Sequence, residues 1–421
     1  MSETAKPRLR FTRSFWVANV LELFERLAFY SSKAILTVYL VETLGLGSFG
    51  NSLAGFYTFA IFFLPILAGT FVDRFGFRKS LLSCFAIFSL GYALIALAAL
   101  PWASSVVELL GVKLYVSVAL AITAIGGSLI KPSIVGTVAR TTDESNKSLG
   151  YSIYYTLVNI GGAVGPLLAL AMRSNAGIQY VMLSSALTSV LLFLGTFVFF
   201  KEPQAHADAG PTRAMSRVLQ DMLLVFRNLR FVSFLVIFSG FWIMFWQTFY
   251  SVPFYVKDIL GVEEFELLES VGPWTIIFLT VPVTAAMKKL RPISAMSIAF
   301  AVASSAWLLN LAWPSTAALV LCAALFSIGE TMQAPRFYEY VAELAPKDQV
   351  GTFMGFAFLP VAVGALLAGP LSGFFVERFI KTGNPAGMWI ILSAIGAVST
   401  LAMLAYNRFL LAKPDEGLKK S

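Results

Sequence analysis

Apolar runs of about twenty residues or more recur from one end of this 421-residue sequence to the other. Each is long enough to cross a hydrocarbon layer of about 30 Å as a helix. A membrane barrel would show alternating strands instead. Charged residues make up 13% of the chain and the mean hydropathy is +0.78, whereas a soluble domain carries roughly 25% charged residues. The fold class expected is therefore an all-α integral membrane protein. Lys6, Arg8, Arg10 and Arg13 precede the first run in the manner of a signal peptide. That run is too long for such a core and no small-residue cleavage site follows, so it is kept as a span. Cys84 and Cys322 both fall inside spans and read as buried small hydrophobes, not as a disulfide or metal ligands.

Punctuation of the runs predicts helices over residues 15–41, 53–73, 80–101, 114–139, 149–172 and 180–200, then over 231–256, 268–287, 293–312, 317–343, 351–376 and 387–411. The segment "KEPQAHADAGPTRAMSRVLQDMLLVFRNLR" separates the two sets. It is polar and basic, and its latter part reads as an amphipathic helix on the membrane surface. The organisation expected is a six-helix bundle over 1–200, a linker over 201–230 and a second six-helix bundle over 231–421. Twelve spans put both termini on one side. Of 31 Lys and Arg residues, only Lys113, Arg173, Lys257, Arg378 and Lys381 fall in loops of the opposite side. The positive-inside rule then makes the termini cytoplasmic, in a multi-pass protein of the plasma membrane, the inner membrane of a bacterium. The net charge of +8 is thus a topology signal, and nucleic acid is not an expected partner.

Between the second and third spans stands "GTFVDRFGFRK", residues 69–79. Gly69 permits close helix approach, Asp73 can cap or pair near a helix end, Gly76 permits a tight turn, and Arg74 and Arg78 supply positive charge. This spacing resembles the cytoplasmic loop signature of the major facilitator superfamily, as does the division into two six-helix halves. The matching loop of the second half, "MKKLRPIS", lacks the Asp and Gly.

The first span carries "LELFERLAFY". At 100° per residue Glu22, Glu25, Arg26, Phe29 and Lys33 share a sector about 100° wide. Charges at the centre of a membrane helix cost about 2.5 to 3.5 kcal/mol each on insertion scales, so this face should meet a partner or a wet cavity. Counting roughly 1.5 Å per residue from the cytoplasmic end, Glu22 and Glu25 lie roughly 10 and 15 Å deep, Lys131 roughly 13 Å and Asn159 roughly 15 Å. Lys131 is accordingly the expected ionic partner of the two carboxylates. Glu330 falls near mid-membrane in the second half. The one histidine, His206, is in the linker, so any proton crossing the membrane must ride on Glu22, Glu25 or Glu330.

The chain also resembles the proton-dependent oligopeptide transporter family within that superfamily. "ELFERLAFY", "KP" at 131–132, "YYTLVNIG" at 154–161, "FWIMFWQ" at 241–247 and "GETMQAPRFYEYVAELAPKDQVGTFMGF" at 329–356 are similar to its first-, fourth-, fifth-, seventh- and tenth-helix motifs, in order. The resemblance implies proton-coupled uptake of di- and tripeptides by alternating access. It assigns Glu22, Glu25, Arg26 and Lys131 to proton coupling. Arg26, Lys131, Tyr30 and Asn159 would face the substrate's carboxylate and backbone, Glu330 its amino group, and Lys33, Trp246 and Gln247 would complete the pocket. The sequence departs from the pattern where Trp246 replaces a usual acid, where Ser31 and Lys33 replace Tyr-Gly-x-Arg, and where Gly272 precedes Pro273 in place of Asn. It also lacks room for the two extra helices of many bacterial members.

The function expected is a symporter of small peptide-like zwitterions, driven by the proton gradient without a cofactor, bathed in membrane lipid and monomeric. The alternative is an exporter or antiporter of amphipathic, drug-like or lipid-like compounds. Thirty-eight Phe residues, Trp246 and "GGAVGP" at 161–166 point that way. No intramembrane His, paired Cys or Gly-rich phosphate loop offers bond-breaking chemistry, so an enzyme is not expected.

Overall fold

The computed structural model describes residues 11–143, 145–203, 220, 223, 225–345 and 350–409. His206 and most of the stretch read as a surface helix lie outside the described residues. Helix α1 spans Arg13–Val38, and α2 is a bent pair, Ser48–Phe63 and Pro65–Phe75. The first half continues with α3 (Phe77–Leu97), α4 (Val112–Thr141), α5 (Lys147–Ala176) and α6 (Ile178–Phe199). The second half holds α7 (Leu229–Asp258), α8 (Glu266–Met287), α9 (Pro292–Ala312), α10 (Thr316–Leu344), α11 (Phe353–Ile380) and α12 (Ala386–Arg408). Ten of these are long and apolar enough to cross a membrane, eleven with the bent pair. The remaining helix, α1, has the length at 26 residues, but Glu22, Glu25, Arg26 and Lys33 interrupt its apolar character.

Helix ends follow local chemistry. The Thr12 and Ser315 hydroxyls and the Asn228 amide oxygen accept hydrogen bonds from the backbone N–H three residues on, at the starts of α1, α10 and α7, satisfying donors that would otherwise be orphaned. The expected break between the second and third spans is made by Gly76, whose φ of +84° suits a residue without Cβ. The second span starts earlier than residue 53 and is bent by 43° at Leu64, because Pro65 has no N–H to continue the ladder. Beyond Val38, α1 runs on into a π-helical turn over Tyr39–Thr43.

Within the first half α1 packs on α5 and α6, and α3 on α4 and α6; within the second, α9 and α10 pair, and α7 lies against α11 and α12. Glycines of α5 seat α1: a Cβ on Gly161 would come 2.4 Å from Cβ of Arg26, and one on Gly165 2.7 Å from Cβ of Tyr30. The "GGAVGP" stretch therefore has a packing explanation of the small-residue kind. The halves meet most closely along α2 with α11 and α5 with α8.

Candidate functional site

Among the described residues, a large and a small cavity lie between the halves. The larger, about 750 Å³, is lined by the second segment of α2, the last part of α4, the first part of α5, Tyr338 late in α10 and residues 354–358 early in α11. All of these belong to the end of the molecule where α1 begins and α12 ends, here called the terminal face. Its walls are largely aromatic, with Phe62, Tyr151, Tyr154, Tyr155, Tyr338, Phe356 and Phe358, and its charged residues are Lys131 and Asp73. The smaller, about 110 Å³, lies deeper, among Tyr30, Asn159 and Gly162 of the first half and Phe245, Phe249, Glu269, Gly272, Phe326 and Glu330 of the second. Val158 lines both, so the two adjoin.

The charges of α1 are buried beside this path. Arg26 Nε lies 2.5 Å from Glu25 Oε2 and 3.4 Å from Glu22 Oε1, and all three side chains are almost fully buried. One guanidinium serves two carboxylates. Both oxygens of Glu22 and Oε1 of Glu25 accept no hydrogen bond, so the trio carries one negative charge in excess when fully ionised. Lys131 does not pair with these carboxylates, contrary to the expectation from depth. Its ammonium lies 4.8 and 5.1 Å from the ring centroids of Phe358 and Phe62 on the cavity wall. Equal depth does not ensure equal rotation, and Arg26, on the same helix as both acids, claims them first. Arg26 itself lines neither cavity, so this conformation does not offer it to a substrate.

Lys33 stands two turns beyond Arg26 in a separate polar cluster. Its ammonium donates to Thr58 Oγ1 at 2.6 Å and to the Tyr250 hydroxyl at 3.1 Å. It also lies 4.8 Å from the ring centroid of Trp246 and 4.4 Å from that of Tyr250. Trp246 is thus occupied by a cation of the protein itself. Its indole donates to the Val361 carbonyl, while Gln247 donates to the Ala368 carbonyl, and neither lines a cavity. Both expectations for α7 need correction by register. Residues 245, 248, 249 and 252 share a sector about 100° wide facing the deep cavity, and 246 and 247 point out of it. By contrast, Tyr30, Asn159 and Glu330 line one cavity. Glu269 lines the same cavity.

The face opposite the terminal one is closed. A Cβ on Gly55 of α2 would lie 2.7 Å from the Ala365 carbonyl oxygen and 2.8 Å from Gly369 Cα of α11. Asn51 donates to Ser372 at 2.7 Å across the same seam. Arg173 of α5 grips Glu266 of α8 with two hydrogen bonds, of 2.5 and 3.0 Å, and Lys257 pairs with Glu42. Sequence reasoning missed these closures; the signal available was the run of acids over 258–269 (Asp258, Glu263, Glu264, Glu266 and Glu269) on the side where Arg173 stands alone in its loop.

At the loop after α2, Glu202, which follows α6, carries the capping role expected of Asp73. Its carboxylate accepts from the backbone N–H of Phe77 at 2.8 Å and of Arg78 at 2.7 Å. Arg78 donates to the Phe197 carbonyl at 2.7 Å, and the Arg74 guanidinium lies 5.4 Å from the Phe75 ring centroid. Asp73 and Gly69 line the large cavity. Gly69 makes no close helix approach, since nothing lies within 4 Å of a Cβ built there.

Residues 20–303, well over half the chain, match the Major Facilitator Superfamily. The chain belongs to that family. It is therefore a multi-pass integral membrane protein and a secondary transporter, not an enzyme. The Multidrug resistance protein MdtH of Photorhabdus laumondii is 23% identical over 90% of this chain and 90% of its own length. The Na(+), Li(+), K(+)/H(+) antiporter of Planococcus maritimus is 26% identical, over 86% and 89%. The Dipeptide and tripeptide permease A of Serratia proteamaculans is 24% identical, over 86% and 83%. Among solved structures, a POT family transporter in complex with a thioalcohol conjugated peptide has a TM-score of 0.77 at 18% identity, covering 95% of this chain and 97% of its own. Another, in complex with 5-aminolevulinic acid, has a TM-score of 0.75 at 19% identity over 95% and 97%. At such identities the likeness establishes this superfamily's fold.

Proposed function

We propose that this Major Facilitator Superfamily member is a proton-coupled symporter of small zwitterions of the di- and tripeptide kind, working by alternating access in a plasma membrane with its termini cytoplasmic. One observation carries the reading: Lys131 of the first half and Glu330 of the second line adjoining cavities between the halves. A molecule with a carboxylate at one end and an ammonium at the other would bridge them, the amine on Glu330 and the carboxylate toward Lys131, with Asn159 and Tyr30 on its backbone. Substrate bound to both halves couples their relative movement to its own binding energy. The five motifs similar to the proton-dependent oligopeptide transporters, and structural relatives that hold peptide-like ligands, support the same class.

The proton is assigned to Glu22 and Glu25. Two carboxylates around one guanidinium leave room for one proton, and its arrival removes a buried excess charge that otherwise opposes closure of the terminal face. A second reading, an exporter of amphipathic cations, is favoured by the aromatic walls of the large cavity and by the multidrug-resistance relative. Uptake of labelled alanyl-alanine into proteoliposomes under an inward proton gradient, beside dye efflux from expressing cells, separates them. Gradient-driven dipeptide accumulation that Glu330→Gln abolishes is the expected result. Dye efflux without dipeptide uptake would transfer the assignment to the exporter.

A further inference from the structure

The deep cavity holds a second acid that the zwitterion reading does not use. Glu269 is only 3% exposed, and neither of its carboxylate oxygens has a hydrogen-bond partner. It lines the cavity together with Glu330, and neither joins an ion pair among the described residues. A carboxylate left this way is costly unless something arrives to satisfy it. Glu266, one turn toward the closed face, is committed to Arg173. Two charges act on Glu269 from nearby, an attractive Lys33 and a repulsive Glu266. Lys33 spends its ammonium on Thr58 and Tyr250 and does not line the cavity. The walls are largely aromatic, with Phe245, Phe249, Phe326 and Trp307, and among the described residues no Lys or Arg lines the space. Two free acids with aromatic faces and no lining cation make a receptor for more than one positive charge.

We propose that Glu269 is a second cation-binding carboxylate of the deep cavity, which makes compounds with two ammonium groups, such as a diamine or a dipeptide with a lysine side chain, the preferred substrate class. Glu330 takes one amine and Glu269 the other, while the aromatic rings cover the methylenes between them. The assignment rests on Glu330 being an amine-binding residue of the translocation path. Aromatic walls and paired acids also favour the diamine over the monoamine through desolvated cation–π contact.

The test is ligand binding to the purified full-length protein, read by scintillation proximity or thermal shift. The probes are 1,5-diaminopentane, its mono-N-acetyl derivative, lysyl-alanine and alanyl-alanine. Wild type is expected to bind the diamine and lysyl-alanine roughly ten- to a hundredfold more tightly than their singly charged counterparts, the range of one hydrogen-bonded charge. Glu269→Gln should erase that preference by bringing the diamine and lysyl-alanine down to the affinity of their single-amine counterparts, Glu269→Asp should retain part of it, and Glu330→Gln should weaken every amine. Equal affinity of wild type for singly and doubly charged probes would overturn the proposal. So would a Glu269→Gln variant that weakens all probes alike, since that is the behaviour of an acid that only balances Lys33. Failure of both dipeptides to bind, with a diamine preference that Glu269→Gln erases, would reject the peptide reading and uphold this one.

Discussion

Enlarging one glycine at the closed seam should reverse the conformational preference of this transporter. Gly55 of α2 faces α11 so closely that its Cβ would sit 2.7 Å from the Ala365 carbonyl oxygen and 2.8 Å from Gly369 Cα. Backbone occupies both positions, so no rotamer change relieves the overlap. Gly55→Val must therefore push α2 and α11 apart. Overpacking of this kind costs typically about 1 to 3 kcal/mol, which is roughly a five- to 150-fold change in population at about 1.4 kcal/mol per decade. Only the conformer with the opposite face shut bears this strain, because the seam is what shuts it. The Arg173–Glu266 and Lys257–Glu42 pairs span the same closure and would part with it. Spin labels at the exposed Thr43 and Thr382, one on each half at this face, report the change as a distance distribution. A longer Thr43–Thr382 distance in Gly55→Val, with slower substrate release at the terminal face, is the expected result. An unchanged distribution with unchanged transport would refute the claim that this seam sets the closed state.

Arg173→Ala leaves Glu266 buried without a partner; stripping a fully buried pair costs about 3 to 5 kcal/mol, and the partial exposure of Arg173 places this case below that range. A lower thermal midpoint, partly restored by Arg173→Lys, checks it. Glu202→Ala removes two backbone caps from the start of α3 and should cost about 0.5 to 2 kcal/mol, again read as a midpoint, with binding affinity unchanged. Lys131→Ala should lose zwitterion transport but keep wild-type thermal stability, because its ammonium rests on Phe62 and Phe358 and not in an ion pair; a markedly less stable variant would contradict that placement.

The helical membrane fold was legible because apolar runs and their Gly, Pro and charged punctuation report directly on lipid exposure. The bend at Pro65 and the π turn after α1 were not, since a run's hydropathy is indifferent to whether its helix is straight. At the site, Asn159 and Glu330 stood out because polar groups in apolar runs are conspicuous, whereas Tyr30 entered only through the motif likeness; all three line the deep cavity. Glu269 was passed over because it stands at the start of the eighth span, where acids are ordinary; the packing of α8 against both α5 and α10 is not visible in a hydropathy profile. Lys131 shows the limit of depth arithmetic, which gives height along a helix but not the direction a side chain faces. Trp246 shows the same limit for motif likeness: the position corresponds, yet the indole covers Lys33 and leaves the cavity to its neighbours on α7.

Proton flux measured without any imposed gradient tests the central assignment most directly. Proteoliposomes loaded with a pH-sensitive dye are given external alanyl-alanine, and the luminal pH is followed for wild type and Glu25→Gln. Symport predicts that the lumen acidifies as dipeptide enters, and that Glu25→Gln removes the acidification while still exchanging labelled for unlabelled dipeptide. A lumen that stays unchanged or turns alkaline while dipeptide enters would contradict proton-coupled import through the charges of α1.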